Sequence, residues 1–348
     1  MEFAQCLLRQ AEKHPSLQAQ DVLKLCYQAA FGAAHLRQQL PQGEKRFYEE
    51  FAATPADAQA LSEPISPALC RVNLSAWKRC KLPPAWLFRL CGLTEEADGG
   101  ARARFLLYCG QVRELAQAGK LPVTEAAWEA QLRQFDGAGR GPVHHSESYR
   151  QAEAPAYRLA PAWAVRLFPL LQRLAALPEK PVSVLAMDGR TASGKSTMAA
   201  QLAVVLQAGV AHMDDFFLPQ SLRTTARLSV PGGNVHYERF IQEILPYLRK
   251  ANAFSYRKFD CGSMDFAGQR EVPVGRWRIV EGSYSMHPKF GRYWDTAVFS
   301  TVNPQEQLER ICRRNGAQAA ALFETHWIPL EEAYFADCRT AERADLTL

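Results

Sequence analysis

One stretch near the middle of the chain constrains the fold more than any other. Residues 184–204 read VLAMDGRTASGKSTMAAQLAV and contain the pattern Gly-x-x-x-x-Gly-Lys-Ser between Gly189 and Ser196. An apolar run over residues 182–187 precedes the pattern, and apolar residues at helical spacing follow it. A strand, a glycine-containing loop and a helix in this order predict a phosphate-binding loop. The pattern alone fits a plain ATPase, a GTPase switch or a small-molecule kinase.

This loop gives nucleotide-binding roles to consecutive residues. Lys195 is expected to reach the β- and γ-phosphates, and Ser196 is expected to ligate Mg²⁺. ATP and Mg²⁺ are therefore the predicted cofactors. The predicted nucleotide-binding residues are Gly189, Arg190, Thr191, Ala192, Ser193, Gly194, Lys195, Ser196 and Thr197.

The rest of the C-terminal half alternates between strand and helix patterns. Further short apolar runs follow the first one, at residues 210–213, 276–280, 297–302 and 344–348. Five such strands separated by helices predict an α/β fold of the P-loop NTPase type, a parallel five-stranded sheet with flanking helices. The N-terminal half is predicted to be mostly α-helical, and proline-rich segments separate the halves. The predicted organisation is a helical domain of unknown function (1–160), a connector helix, kinked at Pro169, with a linker (161–181), and a P-loop domain (182–348).

Carboxylates follow two of the predicted strands. Asp214 and Asp215 come directly after residues 210–213, and Glu281 ends the strand at 276–280. The carboxyl edge of a parallel sheet is where open α/β proteins bind ligands. A carboxylate there can accept a proton from an attacking hydroxyl or hold Mg²⁺. A solvated turn, a helix cap or an acidic strand end is the alternative for these residues.

A basic helix is predicted after the fourth strand. Asn303 is a suitable N-cap, and Gly316 a suitable stop. Arg310, Arg313 and Arg314 then share one helical face. Clustered guanidinium groups suit a phosphoryl group in transfer, and a solvated basic face is the alternative.

Taken together, these motifs resemble one family. The segments DGRTASGKST, MDDFF, GNVHYERF, FSYRKFDC, IVEGSYSMHP and QLERICRRNG, with WIPLEEAYF, occur in this order between residues 182 and 348. In this order they resemble the uridine kinase and phosphoribulokinase group of P-loop kinases. The resemblance covers about half of the chain and implies transfer of the ATP γ-phosphoryl group to a hydroxyl of a small molecule, a nucleoside or a similar sugar-containing acceptor.

The resemblance also implies roles for single residues. Asp214 matches the catalytic base, with Asp215 as the second choice and an acceptor-binding residue. Glu281 matches a magnesium partner, so that the implied metal ligands are Ser196, Asp214 and Glu281. The implied catalytic set is Asp214, Lys195, Arg310 and Arg314, and the implied acceptor residues are Asp215, His236, Tyr256 and Arg257. His236 stands where the family pattern has an acidic residue, so the acceptor itself is left unassigned.

Composition limits the other classes of function. The formal net charge of the 348 residues is +5, which is too weak and too dispersed to indicate nucleic acid as a partner. Nine cysteines without a Cys-x-x-Cys pair are typical of free thiols in a reducing compartment. With no apolar run of membrane length and no signal-peptide pattern, the expectation is a cytoplasmic protein that does not bind membranes. Its partners are ATP and a small-molecule acceptor, and a homo-oligomer is left open.

The N-terminal half does not reveal a function. Its densest polar cluster is His144, His145, Ser146, Tyr149 and Arg150. This cluster fits an anion or acceptor site, a metal site shared with His35, or a capped loop, and the capped loop is preferred. The large unassigned half leaves a second hypothesis for the whole chain, an ATP-binding switch or regulatory NTPase whose N-terminal half binds a protein or RNA.

Overall fold

The computed structural model describes residues 2–33, 40–57, 60–94 and 100–348. Contacts divide the chain into two compact units, Met1–Ala176 and Leu177–Leu348. Within the described ranges, no helix combines the length and the apolar character that a membrane crossing requires.

The first unit packs helices around a small antiparallel sheet. The sheet has the order β1-β2-β3, with β1 (Ser62–Pro64), β2 (Leu69–Asn73) and β3 (Tyr157–Pro161). The described helices are α1 (Phe3–Lys13), α2 (Ala19–Phe31), α3 (Leu40–Ala53), α4 (Leu74–Arg79), α5 (Pro84–Gly92), α6 (Ala101–Gln117), α7 (Glu125–Gly137), α8 (Glu147–Glu153) and α9 (Phe168–Ala175). The prediction of a mostly helical N-terminal half is confirmed, and the short sheet is an addition to it.

The predicted connector has two parts. Residues Ala162–Leu167 form a 3₁₀ helix, and α9 begins directly after it. Pro169 lies in the first turn of α9, where its missing N–H leaves no intrahelical bond unmade. Pro169 therefore starts a helix and does not kink a continuous one.

A buried hydrogen-bond network holds the N-terminal polar cluster. Asp21 on α2 accepts bonds from His145 Nδ1 (2.9 Å) and from Ser146 N (2.9 Å) and Oγ (2.6 Å). Ser146 also caps α8, through its bond from Tyr149 N. Burial, as the main cause, lowers the pKa of His145 to about 4, so that the ring is neutral. These contacts agree with the capped-loop interpretation, and His35 lies outside the described residues.

The second unit has a parallel sheet of five strands in the order β10-β9-β4-β8-β5. The strands are β4 (Ser183–Gly189), β5 (Gly209–His212), β8 (Trp277–Glu281), β9 (Thr296–Ser300) and β10 (Leu346–Thr347). The predicted P-loop NTPase-type sheet is confirmed, and the strand that leads into the phosphate loop lies at its centre. β4 and β8 are buried along their whole length, as inner strands of a parallel sheet are.

Helices and one hairpin complete this unit. The hairpin pairs β6 (Phe254–Asp260) with β7 (Asp265–Val272) in antiparallel fashion. The helices are α10 (Lys195–Leu206), α11 (Thr225–Leu228), α12 (Tyr237–Glu243), α13 (Leu245–Leu248), α14 (Pro304–Asn315), α15 (Ala317–Leu322), α16 (Ile328–Asp337) and α17 (Thr340–Arg343). A π-helical turn, Phe323–Trp327, joins α15 to α16. Asn303 caps α14 by accepting a bond from Gln305 N at 2.9 Å, as predicted.

Candidate active site

The phosphate loop between β4 and α10 depends on glycine at its first position. Gly189 has a φ of +133°, and a Cβ at this position would lie 2.0 Å from the carbonyl oxygen of Ser300 on β9. Gly194 precedes α10 with a φ of +96°, and Ala192 between them has a φ of +56°. Only glycine allows the first approach, and the left-handed residues turn the chain sharply enough to point N–H groups inward.

Lys195 and Ser196 begin α10, at the positive end of its dipole. The buried ammonium group of Lys195 donates to the carbonyl oxygens of Gly189 (2.8 Å) and Arg190 (2.7 Å). It therefore lies inside the curve of the loop. Ser196 Oγ donates to Glu281 Oε2 at 3.0 Å.

Glu281 joins the ends of three strands to the loop. It ends β8 in register with Met187 of β4 and His212 of β5. Its other oxygen contacts His212 Nδ1. A serine hydroxyl beside a buried carboxylate is a donor set that Mg²⁺ uses together with phosphate oxygens. Nowhere in the described ranges do three His, Cys or acidic side chains gather into a metal site.

Two carboxylates that carry no predicted role brace the loop. Asp188, fully buried at the end of β4, accepts bonds from the backbone N–H groups of Gly189, Tyr284 and Met286 and from the Tyr334 hydroxyl, at 2.7–2.9 Å. Burial raises the pKa of Asp188, and these donors oppose the rise. The loop is thereby tied to the segment after β8 and to α16.

Glu331 on α16 is the second of these carboxylates. It accepts from Thr191 N at 2.9 Å and from Ser283 Oγ at 2.7 Å, and Ser283 also faces the carbonyl oxygen of Gly189. Burial raises the pKa of Glu331. The neighbouring Glu332 pairs with Arg190 at 2.7 Å, which draws the Arg190 guanidinium away from the loop interior. Glu331 and Glu332 lie in the WIPLEEAYF segment. Their membership in that motif is the signal by which the sequence could have indicated a role for them.

Asp214 and Asp215 lie side by side in the turn after β5 and have different environments. Asp215 is buried, accepts from the Tyr256 hydroxyl at 2.9 Å and forms an ion pair with Arg270 at 2.8 Å. Among the described residues, the Asp214 side chain has no hydrogen-bond or ion-pair partner, and its exposed surface faces a cavity. Loss of solvation inside the cavity, followed by the charge of Glu281, raises the pKa of Asp214.

A single cavity of about 800 Å³ brings the phosphate loop and Asp214 together. Its lining comes from the loop and the start of α10, from the β6–β7 hairpin, and from two aromatic side chains of the π-helical turn, Phe323 and Trp327. Cationic groups dominate the ionic lining, namely Lys195, Arg223, Lys258, Arg270, Arg310 and Arg314.

Most predicted nucleotide residues line this cavity, and some do not. The lining includes Thr191, Ala192, Gly194, Lys195, Ser196 and Thr197. Gly189, Arg190 and Ser193 lie outside the lining. Arg310 and Arg314 on α14 reach it, and Arg310 also donates to the carbonyl oxygen of Ala192 at 3.0 Å. Arg313 does not line the cavity.

The structure places three of the predicted acceptor residues away from the cavity lining. Tyr256 is buried, where its hydroxyl accepts from His212 N and donates to Asp215. Arg257 is exposed and paired with Glu243. His236 caps α12 through its Nδ1. Side chains that face the cavity from this region are instead Arg223, Asn234, Lys258, Asp260 and Arg270.

Sequence reasoning missed this set because the docking of the hairpin decides which of its faces lines the cavity. Arg257 and Lys258 are successive strand residues and lie on opposite faces of β6, one toward solvent and one toward the cavity. The register changes beside them, where two residues of β7, Ala267 and Gly268, oppose Lys258, so the bulge lies in β7. The residue types alone do not show which face meets the cavity.

The fold and the site together define a P-loop NTPase-type protein, with a parallel sheet, a phosphate loop and an acidic residue at the end of the strand beside it. No protein-family model matches the chain, and a search of curated proteins gives no match.

Solved structures resemble about half of the chain. A candidate uridine kinase from Bacillus stearothermophilus is 19% identical, with a TM-score of 0.41, over 53% of this chain and 98% of its own. A candidate fructose transport system kinase from Silicibacter sp. TM1040 is 24% identical, with a TM-score of 0.43, over 53% and 98%. D-glycerate 3-kinase from Cryptococcus neoformans is 13% identical, with a TM-score of 0.35, over 49% and 88%.

Proposed function

We propose that the second unit is an ATP-dependent kinase that transfers the γ-phosphoryl group to a hydroxyl of a small, sugar-containing acceptor. One observation carries this proposal: the cavity that holds the phosphate loop also holds Asp214, a carboxylate without a described hydrogen-bond partner. A nucleotide switch needs the loop and the magnesium ligands. A transferase needs two further features, a carboxylate that is free to take a proton and room beside it for a second molecule.

The reaction follows from the positions of the groups. The acceptor hydroxyl, next to Asp214, attacks the γ-phosphorus, and its proton passes to an oxygen of the Asp214 carboxylate. The bond from the γ-phosphorus to the β,γ-bridging oxygen breaks, and ADP leaves with that electron pair. The raised pKa of Asp214 favours this role, because a base that holds protons more strongly accepts one more readily.

Charge neutralisation supplies the rest of the catalysis. Lys195 would hold the β- and γ-phosphates, and Arg310 and Arg314 line the same cavity from α14. Such groups stabilise the negative charge that spreads over the phosphoryl oxygens during transfer. Arg310 is already fixed to the loop through the carbonyl oxygen of Ala192 and to Glu306 at 2.6 Å, so that little reorganisation is needed.

Mg²⁺ fits the same arrangement. Ser196 Oγ and Glu281 would hold it directly or through water, with Asp214 facing the same space. When bound, the ion would neutralise charge on the β- and γ-phosphate oxygens. Glu281 keeps the Ser196 hydroxyl in place, which is a positioning role that the structure already contains.

An acceptor screen tests the proposal. The full-length protein is incubated with ATP and Mg²⁺ and with panels of nucleosides, sugars and vitamins, and ADP release is measured with and without each compound. We expect at least one class of hydroxyl compound to stimulate ADP release at least tenfold. ADP release that no small molecule stimulates, but that a protein or an RNA does stimulate, would favour an ATP-driven switch and contradict the kinase proposal.

A further inference from the structure

We propose that the acceptor carries an anionic group, a carboxylate or a phosphate, and that Lys258 and Arg223 bind this group. The proposal rests on the proposed kinase function and narrows the class of its acceptor. It starts from the part of the cavity lining that is formed by the β6–β7 hairpin and by Arg223.

The turn of the hairpin and the candidate base line the same cavity. Cys261, in the turn between β6 and β7, contributes to its lining together with Asp214 and Arg223. A molecule whose hydroxyl meets Asp214 can therefore also reach Arg223 and the hairpin.

Cations on the nucleotide side of the cavity already have polar partners. Arg310 forms an ion pair with Glu306, and Arg314 donates to Asn315 Oδ1 at 2.7 Å. Lys195 is held by two loop carbonyl groups.

On the acceptor side, one cation has an acidic partner among the described residues and two do not. The charge of Arg270 is neutralised by Asp215. Arg223 donates its Nε–H to the carbonyl oxygen of Leu218 at 3.0 Å, and in the described part of the chain it has no carboxylate partner. Lys258 is half-buried, and the described residues include no hydrogen-bond or ion-pair partner for its ammonium group.

The one acidic residue of the hairpin tip that lines the cavity does not pair with Lys258. Asp260 accepts bonds from Gly262 N (3.2 Å), Ser263 N (3.1 Å) and Ser263 Oγ (2.9 Å), and these bonds shape the turn. The positive charges of Arg223 and Lys258 are therefore available to a ligand.

The pairing of β6 with β7 is consistent with this placement of Lys258. Between the pairs Arg257–Gln269 and Phe259–Phe266, two residues of β7, Ala267 and Gly268, oppose Lys258, so the bulge lies in β7 and not in β6. Lys258 therefore keeps the regular alternation of β6 and lies on the face opposite the exposed Arg257, where it lines the cavity.

An ammonium group and a guanidinium group that approach from different segments can bind the oxygens of a carboxylate or a phosphate. A neutral sugar or nucleoside offers no charge to compensate these two cations. The arrangement therefore favours an acceptor with a hydroxyl at one end and an anionic group at the other.

Calorimetric titration tests the inference without requiring turnover. The full-length protein is saturated with Mg²⁺ and a non-hydrolysable ATP analogue and is then titrated with matched pairs of probes. Ribose against ribose 5-phosphate is the phosphate arm, and glucose against glucuronate is the carboxylate arm. We expect the anionic member of at least one pair to bind at least tenfold more tightly, since a charge-assisted hydrogen bond contributes roughly 10- to 100-fold in affinity.

Two variants test whether Lys258 causes the preference for the anionic probe. Lys258→Gln should remove at least tenfold of that preference and leave the affinity for the ATP analogue unchanged. Lys250→Gln is the matched control, because Lys250 is exposed and lies outside the cavity lining. Equal affinity for the two members of both pairs, or equal behaviour of the two variants, would overturn the inference. A failed kinase proposal is distinguishable, because it is read from the absence of a phosphorylated product and not from binding.

Discussion

The Ser196 hydroxyl donates a hydrogen bond to the Glu281 carboxylate at 3.0 Å, across the gap between the start of α10 and the end of β8. The same carboxylate contacts His212 at the end of β5. The start of α10, the end of β8 and the end of β5 are thus joined at the point where Mg²⁺ would meet the nucleotide. Glu281 is buried, so its position is fixed before any ligand binds.

Replacing Glu281 should weaken the magnesium site specifically. In Glu281→Gln the side-chain oxygen can still accept from Ser196, but the negative charge is lost. We expect the Mg²⁺ concentration for half-maximal ATP binding to rise about 10- to 100-fold, the usual effect of removing a supporting metal-site residue. Nucleotide binding titrated with Mg²⁺ measures this. The exposed Glu271→Gln serves as control, and equal Mg²⁺ requirements in both variants would contradict the assignment.

Asp214→Asn should separate binding from chemistry. The amide cannot take the acceptor proton, so transfer should fall by ~10²–10⁴-fold, which is the usual worth of a general base. The dissociation constant for ATP should stay within about threefold, because the phosphate loop is unchanged. Single-turnover measurements give the rate of transfer, and nucleotide titration gives the dissociation constant for ATP. Asp265→Asn is the matched control, since Asp265 lies on β7 outside the cavity lining, and an active Asp214→Asn would remove Asp214 from the base role.

The Asp214→Asn variant should become more stable than the unchanged protein as the pH rises. The pKa of Asp214 is raised in the folded protein, so this group favours folding below its ordinary value of 3.8, and that contribution is lost as the pH rises through the raised value. Asparagine stays neutral and avoids the loss. Urea unfolding of both proteins should therefore give equal stabilities at the acid end and a more stable variant near pH 7. The reverse order at neutral pH would show that the Asp214 carboxylate is stabilised in the fold.

Gly189→Ala should disrupt the loop by steric conflict. The added Cβ would meet the Ser300 carbonyl oxygen at 2.0 Å, in a backbone conformation that side chains disfavour. We expect the free energy of unfolding to fall by at least ~3 kcal/mol. It is measured in urea, from the unfolding transition that added Mg²⁺–ATP shifts. Gly291→Ala is the control, because its φ is +64° and no atom of the described residues lies within 4 Å of the added Cβ. That change should cost only ~1–2 kcal/mol, and equal losses would rule out the steric explanation.

The sheet and the loop could be predicted from sequence because their signals are local. β4 contains the apolar run 184–187, β8 is apolar except for Arg278 and Glu281, and the phosphate loop needs glycine at fixed positions for backbone reasons. Asn303 as the cap of α14 depends on a similarly short range of residues. Each of these features is decided within about ten residues of chain.

The bracing of the loop could not be predicted, because it depends on contacts between distant residues. Asp188 meets the Tyr334 hydroxyl, and Thr191 meets Glu331, across more than 130 residues in each pair. The roles of Tyr256 and Arg257 were inferred from motif order, but the fold turns Tyr256 into the core and Arg257 toward solvent. Only the folded hairpin shows which side chains face the cavity.

The destination of the γ-phosphoryl group is the most direct test of the kinase account. Phosphorus NMR of the full-length protein with Mg²⁺–ATP and a stimulating acceptor follows the γ-phosphate signal as it disappears. The account predicts a new phosphate-ester signal that appears in equal amount with ADP and is lost in Asp214→Asn. Inorganic phosphate as the sole product, formed at a rate that does not depend on the acceptor, would contradict it.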